Sequence, residues 1–295
     1  MGLSHWANAA ARKAYEDAYH ASLELWPSCE SRLVATPFGK THVVVAGRPD
    51  GDPTVLIHAG GLSATQWYLQ AADLGTDRAL YAVDIMGDIG LSTQTRMIHT
   101  RADAGEWLEG VLDGLDIEHA VFIGSSFGGF NSSNFAVRHP ERVTRLVLLA
   151  PAATLKPFRL LANVAIRSGS LFPMPKTVRP ALRGMMQGEL PSETFVRQME
   201  IGVAGFRYDV SGLYPGELSD EELASIRCPT LVLVGDHEMI YDAEEAIERA
   251  ARLIPRVEAE IVPGVGHLLG MQRPDIVNHR IARFLTPSRM VLEPV

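Results

Sequence analysis

Residues 121–130 read Val121-Phe122-Ile123-Gly124-Ser125-Ser126-Phe127-Gly128-Gly129-Phe130, an apolar run that ends in two serines hemmed by glycines. The run has the length and composition of a buried strand, and Phe130 to His139 suits a helix, so the glycines fall at a strand-to-helix turn. Gly124-x-Ser126-x-Gly128 has the Gly-x-Ser-x-Gly spacing, and Ser125 does not. A serine lifted out of a sheet on so sharp a turn needs neighbours without bulk, because the chain passes close to itself on both sides. The turn also aims the backbone N–H of Phe127 and the start of the following helix at whatever sits on Ser126, where negative charge would be stabilised. Ser126 is therefore the candidate nucleophile.

Working outward, Ser31 to Thr36 and Lys40 to Ala46, joined by Pro37-Phe38-Gly39, read as a hairpin. Apolar strands are expected at Thr54 to His58, Leu80 to Val83, Ala120 to Ile123, Leu146 to Leu149, Thr230 to Val234 and Glu260 to Val262. Helical patterns separate them at Arg101 to Gly114, Phe130 to His139, Ala243 to Leu253 and Asp275 to Phe284. Strands without internal alternation, separated by helices, imply an α/β fold with a mainly parallel sheet covered on both faces and the hairpin as an antiparallel edge. A helix from about His5 to Trp26, stopped by Pro27, should cover the core, which makes residues 1–30 an N-terminal helical segment. Over 153–218 the rhythm fails. Pro157, Pro173, Pro175, Pro180 and Pro191 interrupt a stretch loaded with Met and Phe, as in a helical insertion on a core of 1–152 and 219–295.

The composition narrows the partners. The 295 residues are 46% hydrophobic, enough for a large core, and the net charge of −8 comes without long single-sign runs. No basic footprint for nucleic acid or an anionic membrane is present, so a small, moderately apolar partner is expected. Cys29 and Cys228 form no CxxC pair, which points away from a disulfide framework or a thiolate metal site. The first twenty residues carry charges and histidines where a signal peptide has an apolar region, and no segment is apolar for eighteen residues. A cytosolic protein without a membrane span is expected.

A serine hydroxyl at neutral pH needs a general base. Of the ten histidines, His267 stands in Gly264-Val265-Gly266-His267-Leu268, just after the last expected strand and on the same carboxyl edge of the sheet as Ser126. His139 sits at a helix end before Pro140, His279 is mid-helix, and His5, His20, His42, His99 and His119 are expected at the surface. The base in turn needs a carboxylate to fix its tautomer and stabilise the imidazolium. The loop Gly235-Asp236-His237-Glu238-Met239-Ile240-Tyr241-Asp242 offers three. Asp236 follows the glycine too closely to reach across and Asp242 suits a helix N-cap, which leaves Glu238.

In the order Ser126, Glu238, His267, the chain resembles the α/β-hydrolase superfamily over essentially its whole length. His58-Ala59-Gly60-Gly61 looks like the family's His-Gly motif, where a backbone N–H completes the oxyanion hole; by that match the donors are Gly60 and Phe127. Two departures stand out: Ala59 replaces a glycine, and Asp84-Ile85-Met86-Gly87-Asp88-Ile89-Gly90-Leu91-Ser92 is longer than Asp-x-x-Gly-x-Gly-x-Ser. A Glu at the acid position, with YAVDIMGD and GDHEMIYD, is similar to certain bacterial carboxylesterases. The resemblance implies a cofactor-free serine esterase acting on a small to medium apolar ester, with 153–218 as a cap and Gly61, Leu62, Met185, Met199 and Leu268 around the substrate. Ser at the nucleophile position, where the family's dehalogenases and epoxide hydrolases have Asp, disfavours their chemistry. No Gly-x-Gly-x-x-Gly after the first strand and no His-Glu-x-x-His point to a nucleotide or a metal. The same residues could instead serve a thioester, a lactone, a carbon–carbon bond or a biosynthetic lyase or cyclase step, or persist in a ligand-binding relative.

Overall fold

Short runs of Val, Leu and Ile become strands here because both faces of each are covered. The computed structural model describes residues 2–171, 174–209 and 211–286. Its sheet holds β1 (Cys29–Thr36), β2 (Gly39–Gly47), β3 (Asp52–Ile57), β4 (Arg78–Val83), β5 (Ala120–Ser125), β6 (Val143–Leu149), β7 (Thr230–Gly235) and β8 (Val257–Val262). The spatial order is β1-β2-β4-β3-β5-β6-β7-β8, with a two-residue strand, Thr93–Gln94, pairing the start of β2. From β4 to β8 all pairings are parallel, and the β1-β2 hairpin supplies the antiparallel edge.

Side-chain alternation sorts the apolar residues into two cores. Val43, Val55, Ile57, Phe122 and Val232 pack under α3 (Arg101–Gly114), α4 (Phe127–Arg138) and α9 (Ala243–Leu253), with Trp107 and Phe135 among them. Val44, Leu56, Val121, Ile123 and Leu231 face α1 (Ala9–Leu23), α2 (Tyr68–Leu74) and α10 (Pro274–Leu285), with Tyr15, Trp67 and Ile281. Each fully buried Leu, Val or Ile side chain contributes about 1.5–3 kcal/mol of transfer free energy.

Between β6 and α8 (Asp220–Ala224) the chain forms α5 (Leu160–Leu171), α6 (Val178–Met185) and α7 (Glu193–Gly205). The Leu218 N–H donates to the Thr154 carbonyl at 3.1 Å, so the segment leaves and re-enters the core at one place. A third apolar cluster seats α6 and α7, through Leu182, Met186, Phe195 and Met199, on Ala59, Leu62 and Leu268. Pro173 and Val210, and residues 287–295, lie outside the described residues.

Several expectations need correction. The N-terminal helix starts at Ala9, not His5, because extended Asn8 caps it by accepting from Ala11 N–H. His5–Trp6 instead pairs antiparallel with Phe206–Arg207 of the 153–218 segment. Cys29 and Glu30 belong to β1, so the N-terminal helical segment ends before residue 30. α4 begins at Phe127, directly after the serine. His42 is buried: β2 is flanked by β1 and β4, and the ring meets Asp84 Oδ2 at 3.0 Å. Burial raises the Asp84 carboxyl, but the hydrogen bond and charge of His42, the charge of His58 and the Ala64 N–H outweigh it, and the carboxyl ends below its ordinary range. His5, His20, His99 and His119 are exposed.

Candidate active site

β5 ends at Ser125 and α4 starts at Phe127, which leaves Ser126 alone to make the turn. Its backbone sits at φ 50°, ψ −113°, a conformation that L-residues seldom occupy. The strand next door holds it there: Ser126 N–H donates to Leu149 O at 2.9 Å, and Ser126 O accepts from Ala152 N–H at 2.9 Å and Phe130 N–H at 3.1 Å. A methyl at Gly124 would run into the Gly128 carbonyl, and one at Gly128 into the Ile57 carbonyl of β3, so the turn closes only with glycine at both places.

His267 Nε2 lies 2.8 Å from Ser126 Oγ, and its Nδ1 lies 2.6 Å from Glu238 Oε2. A carboxylate only accepts, so Nδ1 carries the proton and Nε2 is left to accept from the serine hydroxyl. Both His267 and Glu238 are buried, and Glu238 Oε1 is fixed by Ile240 N–H at 2.8 Å. The other acids of the loop turn elsewhere. Asp236 accepts from Val265 N–H at 3.1 Å and braces the histidine loop, with backbone N–H groups of Gly264 and Val265 holding its carboxyl low against the opposing effect of burial. Asp242 caps α9 by accepting from Glu245 N–H at 3.1 Å. Ser125 is buried within β5.

Across from Ser126 runs the loop after β3. Ala59 N–H donates to Gln66 Oε1 at 2.9 Å, Gly61 N–H to Asp88 Oδ2 at 2.9 Å, and Leu62 N–H to Ala59 O at 3.1 Å. Gly60 N–H is the member of this group with no acceptor among the described residues. Phe127 N–H, at the first position of α4, has no acceptor four residues back within its helix. His58 is committed to the scaffold: Nδ1 donates to Ala59 O at 2.8 Å and Nε2 accepts from Ile85 N–H at 2.9 Å.

A cavity of about 540 Å³ opens over Ser126. Gly60, Gly61, Leu62, Phe127, Met185, Met199, His267 and Leu268 all line it, with Ile85, Ile166, Val178 and Leu182 extending an apolar wall. Three contributors were not singled out in the sequence. Gln272 accepts from Gly266 N–H at 2.9 Å and steadies the histidine loop. Asp88 and Tyr208 meet at the cavity wall, Tyr208 OH donating to Asp88 Oδ1 at 2.7 Å. Burial raises the Asp88 carboxyl, more than the charge of His58 and the hydrogen bonds from Tyr208, Gly61 and Ile89 lower it; burial also pushes the Tyr208 phenol well up. The lengthened loop after β4 was the one available signal for Asp88.

Residues 54–280 match the model of the alpha/beta hydrolase family. The chain is similar to the uncharacterized carboxylesterase nap of Bacillus subtilis (strain 168), at 38% identity over 92% of this chain and 91% of that one. It is 35% identical to carboxylesterase YbfK of the same organism, over 92% and 93% of the two chains. Among solved structures, naproxen esterase (carboxylesterase NP) from Bacillus subtilis superposes with a TM-score of 0.88 at 38% identity, over 95% of this chain and 99% of that one.

Proposed function

Because the chain belongs to the alpha/beta hydrolase family, and relatives matched over nine-tenths of its length are named carboxylesterases, we propose that it hydrolyses a carboxylic ester with Ser126 as nucleophile. His267 is the general base and acid, Glu238 orients it, and the N–H groups of Gly60 and Phe127 form the oxyanion hole. The observation that carries this assignment is the unbroken line from Glu238 Oε2 through His267 to Ser126 Oγ, at 2.6 and 2.8 Å, ending on a residue held in strained backbone.

The chemistry follows from that line. Ser126 Oγ bonds to the ester carbonyl carbon as its proton passes to His267 Nε2, and the carbonyl π pair moves onto oxygen, between the two N–H donors. The tetrahedral species then expels the alcohol, which takes the proton from Nε2, and leaves an acyl group on Ser126. Water enters and gives a proton to Nε2 as its oxygen attacks the acyl carbon; the second tetrahedral species then breaks its bond to Ser126 Oγ, which takes the proton back from Nε2 as the acid leaves. Glu238 remains ionised throughout and stabilises the imidazolium.

The apolar wall and the volume over Ser126 fit a small to medium apolar ester, with residues 153–218 acting as its cap. The carboxylesterase relatives favour an ester over a thioester, lactone or carbon–carbon bond. A panel of nitrophenyl esters from acetyl to decanoyl, with a lactone and a thioester alongside, tests the assignment. Turnover of the esters, lost in Ser126→Ala, is the expected result; turnover that survives Ser126→Ala overturns it.

A further inference from the structure

The Asp88 carboxylate is buried at the cavity wall, where an apolar side chain would cost less. Its two oxygens accept from three donors that come from three parts of the chain. Gly61 N–H reaches Oδ2 at 2.9 Å, while Ile89 N–H and Tyr208 OH reach Oδ1 at 2.7 Å each. Gly61 belongs to the loop after β3, Ile89 to the loop after β4, and Tyr208 to the 153–218 segment.

Gly61 is the pivot. Its φ of +75° is left-handed, and the nearest atom to the space beside its Cα is the Tyr208 hydroxyl oxygen, 3.8 Å from where a Cβ would lie. A glycine in this conformation is free to turn unless something holds its peptide group. On the N-terminal side of Gly60, Ala59 is fixed by Gln66 through its N–H and by His58 through its carbonyl. On the C-terminal side, Asp88 is the group that holds the Gly61 N–H. The free N–H of Gly60 lies between these two anchors.

We infer that Asp88 is a positioning residue for the oxyanion hole: the Ala59 carbonyl, which shares a planar peptide with the Gly60 N–H, is held by His58, and Asp88, itself gripped by Tyr208, holds the next peptide through the Gly61 N–H, so that Gly60 is pinned from both sides and its N–H cannot swing out of the hole. The inference rests on the proposed roles of Ser126 and Gly60. It places the length of the loop after β4 in the service of catalysis, since that loop carries Asp88 to the cavity, and it gives the 153–218 segment a part in building the hole as well as covering it. A full negative charge near a developing oxyanion would oppose it, but here the charge is shared among three donors, and the gain is a donor that need not reorient during reaction.

Two matched inhibitors separate positioning from substrate contact: a trifluoromethyl ketone bearing the preferred acyl chain, which adds Ser126 and places an oxyanion in the hole, and the corresponding methyl ketone, which stays largely unreactive. Removing one oxyanion donor costs about 10²–10³ in rate, so misdirecting one should cost about 10- to 100-fold. In Asp88→Ala, kcat should fall by that factor and the Ki of the trifluoromethyl ketone rise in parallel, while KM and the Ki of the methyl ketone stay within about twofold. Asp88→Asn, whose amide oxygen can still accept from Gly61 N–H, should recover most of the loss, and Tyr208→Phe should fall between. Thermal melts establish that each variant is folded. Equal weakening of both ketones, an unchanged kcat in Asp88→Ala, or an Asn variant as impaired as the Ala variant overturns the inference. Failure of the trifluoromethyl ketone against the wild-type protein would instead overturn the roles of Ser126 and Gly60, and is told apart by that control.

Discussion

Ser126 and Ser125 are neighbours with opposite surroundings: one makes the turn and meets His267, the other lies in β5. Ser126→Ala should lower kcat by about 10⁶, as for a nucleophile in a coupled triad, while Ser125→Ala keeps most activity. Steady-state rates on one nitrophenyl ester check both. The acids divide in the same way. Glu238→Gln should cost about 10⁴ in kcat, because an amide keeps the shape but not the charge, whereas Asp236→Asn loosens only the histidine loop. Asp88 carries a pH signature. Its carboxyl is raised in the fold by burial, against opposing effects of His58, Tyr208, Gly61 and Ile89, so the folded state prefers it protonated. That contribution is complete below the unfolded aspartate value of about 3.9 and is lost as pH rises through the higher folded value. The melting temperature of Asp88→Asn minus that of wild type should therefore increase from pH 4 to 7 by differential scanning calorimetry; a flat or falling difference contradicts it. Ser126 and His267 could be read from the glycines around them in loops that follow strands, and Glu238 from the loop after β7 once Asp236 and Asp242 were set aside. Asp88 could not, since two of its three partners lie 27 and 120 residues away and nothing in local composition ties them together.

Two helices were legible to the residue at their capped starts. α3 and α9 have the boundaries expected from sequence because Thr100 and Asp242 cap them by accepting from Asp103 and Glu245 N–H. α4 starts earlier than expected: Phe127-Gly128-Gly129 reads as a turn, yet close packing against β3 and Pro151 requires those glycines inside a helix. The same packing makes Gly128→Ala a test of the elbow. Its methyl would meet the Ile57 carbonyl, so the variant should lose at least about 1–3 kcal/mol of unfolding free energy in urea. A wild-type midpoint would mean that β3 and α4 are not in this contact. The extended pair His5–Trp6 with Phe206–Arg207 was invisible in sequence, because two residues give no periodicity.

At the scale of the whole molecule, the 153–218 segment is joined to the core by polar bonds around the cavity. Leu268 N–H donates to Met185 O at 3.2 Å, and buried Gln198 on α7 donates to Tyr15 OH at 3.0 Å and Ser63 Oγ at 2.9 Å while accepting from Thr65 Oγ1 at 2.9 Å. Gln198→Ala removes a partner from three buried hydroxyls, of which Ser63 and Thr65 keep each other at 2.8 Å, and should lower stability by about 1–3 kcal/mol in denaturant titrations. The alternation of periods along the chain made the layered α/β architecture legible, while these long-range joins are set by tertiary packing alone. On the proposed mechanism, the whole arrangement serves an acyl-enzyme on one serine. The direct measurement is intact mass and peptide mapping after reaction with a fluorophosphonate probe, on the wild-type protein and on His267→Ala. One adduct per chain, on Ser126, formed rapidly by the wild type and at a rate lower by several orders of magnitude in His267→Ala, is the predicted result. An adduct on Ser125 or elsewhere, or an unlabelled Ser126 in a protein that turns over esters, would contradict it.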